Sequence, residues 1–111
     1  MAADFYWKQH DTAPAIISQL TDSASVPVDL TGATVKFHMK AQGAGTLKIN
    51  AAATVADASS GYVEYQPVTA DTDTAGDYQA EWEVVYSSGN KQTFPDPGYL
   101  TVTITADLDN A

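Results

Sequence analysis

The sequence predicts an all-β fold, an antiparallel β-sandwich or small barrel of seven to eight short strands. Three observations carry that expectation. Thr, Val and Tyr are abundant and fall in short alternating runs. Gly, Asp, Asn or Pro interrupts those runs roughly every ten residues, the spacing of sandwich strands. No window repeats apolar residues at i, i+3, i+4 and i+7 between caps, so neither a long helix nor an alternating α/β pattern is expected.

Each element follows from its own residues. Phe5 to Gln9 is the first run, closed by Asp11 and Pro14, since Pro removes a ladder donor. Ala15 to Thr21 follows, with Ile16, Ser18 and Leu20 on one face and Ile17 on the other. Asp22 to Asp29 is a polar loop. Val26 to Gly32 reads as an extended arm entering a turn, where Gly supplies a conformation other residues disfavour. Thr34 to Lys40 is a half-buried strand. Val35, Phe37 and Met39 point one way, and Lys36, His38 and Lys40 the other. After the turn at Gln42 to Gly45, Leu47 and Ile49 alternate with Lys48 and Asn50, and a weak Ala-rich pattern continues to Val55.

Asp57 to Gly61 turns the chain into a short strand, Tyr62 to Gln66, which Pro67 stops. Ala70 to Asp77 is a Thr/Asp/Gly loop. From it comes the strongest strand, Tyr78 to Tyr86, with Tyr78, Ala80, Trp82, Val84 and Tyr86 on one face and Gln79, Glu81 and Glu83 on the other. Ser87 to Asn90 is a hairpin turn and Lys91 to Phe94 the return strand. Pro95-Asp96-Pro97-Gly98 breaks the ladder. Tyr99 to Thr105 is the last strand, with Leu100, Val102 and Ile104 inward.

At 111 residues the chain suits one domain, expected over 1–106 with an acidic tail at 107–111. A hydrophobic share of 44% is enough for a core without staples. Zero Cys excludes disulfides, Cys-ligated zinc and a thiol nucleophile. The net charge of -9, with every cation a Lys, argues against binding nucleic acid. No apolar run approaches the roughly 20 residues of a membrane span. Met1 to His10 lacks the apolar stretch of a signal peptide.

Several constellations bear on function. Asp73-Thr74-Ala75-Gly76-Asp77-Tyr78 is similar to the tyrosine corner of immunoglobulin-like sandwiches, in which a Tyr hydroxyl bonds back to the loop backbone. Gly76 would allow the tight turn and Tyr78 would be the corner. Ala80 stands where antibody domains place a Cys, and Asp73 lies one place further upstream than usual. Asp71, Asp73 and Asp77 alternate as calcium ligands do, but the full calcium-loop spacing is missing, so solvated turn acids are expected. His10 and His38 have no legible partners, and an exposed or interface role is expected for His38. Glu64, Glu81 and Glu83 are strand carboxylates without a visible cleft. No nucleophile elbow or phosphate-binding Gly loop occurs, so no enzyme is expected, nor any cofactor or metal.

Phe5-Tyr6-Trp7 is the most informative cluster. Three consecutive aromatics on a strand cannot share one core, because neighbours alternate. At least one faces outward, onto solvent along a sandwich edge or onto a partner. Trp7 could also stack on a sugar.

In order along the chain, Phe5-Tyr6-Trp7-Lys8-Gln9, Asp11 to Pro14, Pro27 to Met39, Asp73 to Val84 and Phe94-Pro95 through Ile104 resemble the N-terminal domain of tailed-phage baseplate upper proteins and related tail proteins. Val28 to Val35 and Ala75-Gly76-Asp77-Tyr78-Gln79-Ala80-Glu81 are the most specific parts. The resemblance implies an immunoglobulin-like sandwich working in the virion and docking on other phage structural proteins, in multiple copies. In that family a C-terminal extension carries receptor-binding parts, whereas this sequence stops just after its last strand. The expectation is therefore a small accessory subunit, on the tail or baseplate or decorating the capsid, made in the host cytoplasm. Phe5, Tyr6, Trp7, Pro95, Asp96 and Pro97, with Gly98, are its candidate contacts. The alternative is a carbohydrate-binding sandwich that helps the phage adhere to host glycans.

Overall fold

Alternating apolar and polar residues give each strand one face that must leave water, and burying those faces together sorts this chain into two sheets. The computed structural model describes residues 3–95 and 98–108. Among them are nine strands: β1 Phe5–Lys8, β2 Ile16–Gln19, β3 Thr34–Ala41, β4 Ile49–Ala52, β5 Thr54–Asp57, β6 Tyr62–Tyr65, β7 Gly76–Val85, β8 Lys91–Phe94 and β9 Leu100–Thr105. The larger sheet runs β1-β9-β7-β3-β4, with β8 also on β7, and the smaller one runs β2-β6-β5. The all-β sandwich is therefore as expected, and a short 3-10 turn at Thr69–Thr72 is the one helical piece among the described residues.

β7 organises the larger sheet. Along one side it pairs with β3 from Thr34↔Val85 to Ala41↔Tyr78. Its other side is shared. β9 takes Gly76 to Ala80 and β8 takes Trp82 to Val85. Phe94 lies opposite Trp82 and Leu100 opposite Ala80, so β8 and β9 share one line of pairing along β7 that stops at Phe94 and resumes at Leu100. That is the break expected there, since Pro95 has no N–H to give.

Two features depart from the sequence reading. β1 runs parallel to β9, from Phe5↔Val102 to Lys8↔Thr105, while every other named pair is antiparallel. Side-chain alternation carries no information on strand direction. The single run expected over Leu47 to Val55 is also two strands. β4 pairs with β3 in the larger sheet and β5 with β6 in the smaller. Ala53 is the corner, and its N–H still donates to the Val35 carbonyl at 2.8 Å. Its small side chain packs at the core edge, where a strand can change sheets. This split raises the count to nine.

The core lies between the sheets, and its members are the inward residues of the alternating runs. Val35, Phe37 and Met39 of β3 face Ile16 of β2 and Val63 and Tyr65 of β6. Phe37 stacks on Tyr65 at 4.9 Å and meets Trp82 at 4.8 Å and 56°. Each such ring buried contributes about 1.5–3 kcal/mol. The indole N–H of Trp82 donates to Ser18 Oγ across the sandwich at 3.1 Å. Among the described residues no buried side-chain N or O lacks a hydrogen-bond partner, as a stable interior requires. No helix among them is long and apolar enough to cross a membrane.

Candidate functional site

The aromatic triplet divides by alternation. Phe5 and Trp7 pair in register with Val102 and Ile104, the inward residues of β9, while Tyr6 pairs with outward Thr103. Trp7 is only 3% exposed, and its indole N–H donates to the Pro14 carbonyl at 2.8 Å. Phe5 packs half-buried against the same core. Tyr6 is 53% exposed, so it is the member with surface to offer a partner. Pro95 goes elsewhere. With Phe94, Leu100 and Trp82 it lines an open hollow of about 330 Å³ beside the Ser18 to Asp22 stretch, where the two sheets part. Tyr6 and Pro95 thus serve different surfaces. Asp96 and Pro97 lie outside the described residues.

The loop before β7 is built for structure. Tyr78 is buried and its hydroxyl donates to the Thr74 carbonyl at 2.6 Å, the bond a tyrosine corner makes. Gly76 has φ of 151°, which a side chain would disfavour. The three loop acids separate. Asp71 is buried, and its Oδ2 accepts from the Tyr65 hydroxyl at 2.6 Å and the Val68 N–H at 3.0 Å. Burial, then the hydrogen bond to this carboxylate, then its charge push the Tyr65 phenol far above its usual pKa. Asp73 accepts from Lys48 Nζ at 2.6 Å and from the Thr74 hydroxyl at 2.9 Å, and these bonds hold its carboxyl below the usual range. Asp77 takes the Thr103 hydroxyl at 2.8 Å. Asp71 is therefore not the solvated turn acid the sequence suggested. Its partner, Tyr65, stands six residues earlier at the end of β6, and no alternation pattern links the two. Among the described residues no three His, Cys, Asp or Glu side chains gather as a metal would require.

The outer faces of the two sheets differ. On the larger one, Lys36 lies opposite Glu83, His38 opposite Glu81, and Lys40 opposite Gln79. His38 Nδ1 sits 3.7 Å from Glu81 Oε2, so the imidazole has a partner after all. His38, Lys40, Gln79 and Glu81 floor a hollow of about 160 Å³ rimmed by Leu47 and by Tyr99, itself 55% exposed. On the smaller sheet, cross-strand pairing sets Ile17, Glu64 and Thr54 in one row and Gln19, Tyr62 and Asp57 in the next. The sequence places Ile17 opposite the core-facing Ile16, but its neighbours on that face depend on register. Glu64 is consequently on the far side of the molecule from Glu81 and Glu83.

Comparison with known proteins adds the following. Residues 9–96 match the model of the family described as the BppU N-terminal domain, the baseplate upper protein. No curated protein matches the chain. Among solved structures, CopC from Methylosinus trichosporium OB3b superposes with a TM-score of 0.51 at 12% identity, covering 95% of this chain and 86% of that one. At that identity the likeness shows the β-sandwich fold alone.

Proposed function

This chain belongs to the family of the baseplate upper protein N-terminal domain, a phage baseplate structural family, and on that premise we propose that it is a small accessory subunit of the virion. It docks on other phage structural proteins through protein–protein contacts and is present in several copies. It performs no catalysis and binds neither nucleic acid nor membrane. Affinity comes from exposed apolar anchors within a polar rim, and repetition lets modest contacts add up. The family match carries the reading, and the exposed Tyr6 ring supports it. The experiment is mass spectrometry of purified virions combined with antibody labelling of the particle. Label at the tail tip is expected. Label on the shell would make the subunit a capsid decoration, and particles without the protein would overturn the reading.

A second reading, a carbohydrate-binding module for host glycans, is favoured by one observation. The exposed Tyr99 ring stands beside His38, Gln79 and Glu81, an aromatic surface next to hydrogen-bonding groups. Glycan binding by the isolated protein, lost in Tyr99→Ala, would support it. Silence across a glycan array would remove it.

A further inference from the structure

The two sheets are electrically unlike. All five cations of the chain are Lys8, Lys36, Lys40, Lys48 and Lys91. Lys8 lies in β1, Lys36 and Lys40 in β3 and Lys91 in β8, all strands of the larger sheet. Lys48 just precedes β4 and is held by Asp73. On the outer face of that sheet Lys8, Lys36 and Lys40 offset Asp77, Glu81 and Glu83. No Lys lies in β2, β5, β6 or the turns joining them. Glu64 and Asp57 stand on that face with no cation of their own sheet, and the loop after β2 adds Asp22 and Asp29. Bonds from Thr31 hold the Asp29 carboxyl below the usual range, so that charge persists.

The same face exposes apolar side chains. Ile17 is 55% exposed and lies directly across from Glu64, and Tyr62 is 39% exposed in the next row, across from Asp57. An aliphatic and an aromatic anchor beside carboxylates that no cation of their sheet offsets is the composition of a docking patch. Charge complementarity selects its occupant. A second copy would set carboxylate against carboxylate between molecules that each carry -9, which opposes pairing through this face. A surface bearing Lys or Arg would be attracted and correctly turned.

We propose that the outer face of the three-stranded sheet, with Ile17 and Tyr62 as anchors and Glu64 and Asp57 as charged partners, seats this subunit on a Lys- or Arg-bearing surface of another virion protein. The proposal rests on the reading of the chain as a virion subunit and names its docking surface. The test is competition for incorporation. A host expressing a tagged copy of the chain is infected with the phage that encodes it, and the ratio of tagged to untagged protein in purified particles is read by mass spectrometry. Tagged wild type should enter in proportion to its expression. Glu64→Lys and Ile17→Ser should each enter at least about ten-fold less. Lys36→Glu, on the opposite face, should enter like wild type. Thr54→Lys, in the same row as Glu64, adds a positive charge to the face independently should Glu64→Lys fail to fold by circular dichroism.

Equal entry of the folded face variants and wild type would overturn the docking face while leaving the virion reading intact. Particles with neither native nor tagged protein would overturn both. Sedimentation of the isolated chain covers the other occupant. A dimer abolished by Glu64→Lys would assign the face to a second copy and overturn the proposal. Loss of binding to host polysaccharide in these variants, with incorporation unchanged, would overturn it in favour of a glycan.

Discussion

Trp7 and Tyr6 are adjacent in sequence and opposite in consequence. Trp7 fills the core and bonds to Pro14, so Trp7→Ala removes a buried ring and should cost about 3–5 kcal/mol in urea unfolding. Tyr6→Ala removes an outward ring and should stay within about 0.5 kcal/mol. Equal losses would mean that β1 is not seated as described. Tyr65 gives a pH prediction. Its folded pKa is raised above the ordinary 10, first by burial and then by Asp71. A raised pKa means stability that is complete below the unfolded value and lost as pH climbs above it. Wild-type stability should therefore fall from about pH 10 upward, and Tyr65→Phe should flatten that fall. Parallel pH curves for the two proteins would contradict it. Alternation alone showed that Phe5-Tyr6-Trp7 must split. That Asp71 would be buried under Tyr65 was not legible, because the two meet only after β6 and the 3-10 turn have packed.

Strand alternation was read correctly in β3, β7 and β9, each with one buried face. It missed the parallel pairing of β1 and the change of sheet at Ala53, because a period of two specifies faces and not neighbours. The turn before β6 shows what local signals can do. Gly61 was expected in a turn, and it has φ of 75°. The structure adds that a Cβ there would lie 2.7 Å from the Leu20 carbonyl and 2.9 Å from that of Val28. Gly61→Ala should cost at least about 2 kcal/mol, from the disfavoured conformation and the backbone clash together. Thermal denaturation within a degree of wild type would show that the loop can move aside. Gly89 also has positive φ, but a Cβ there would meet nothing within 4 Å, so Gly89→Ala should be the milder change.

At the scale of the molecule, the excess of negative charge opposes folding into a small volume. Raising NaCl from about 10 mM to 150 mM shortens the screening length to about 8 Å and should raise the melting temperature. A fall in melting temperature over that range would mean that pairs such as Lys48–Asp73 outweigh the general repulsion. The charge is unevenly placed, and the sequence held a sign of it. No Lys occurs between Lys8 and Lys36 or between Lys48 and Lys91. Only the pairing of β2 with β6 and of β6 with β5 turns those gaps into one face lacking cations.

By itself the sequence determined the all-β class, the inward and outward sets of the strands most clearly alternating, β3, β7 and β9, and the family, since these rest on periodicity and short motifs that any local stretch displays. The tertiary structure decided the direction of β1, the sheet to which each half of the Ile49–Asp57 segment belongs, the partners of Asp71 and His38, and the company that Ile17 keeps. Most of these join residues far apart along the chain, and Asp71 and Tyr65, only six positions apart, lie on different elements. Register and sheet order are set by how the whole set of apolar faces closes on one core, and no single strand carries that information.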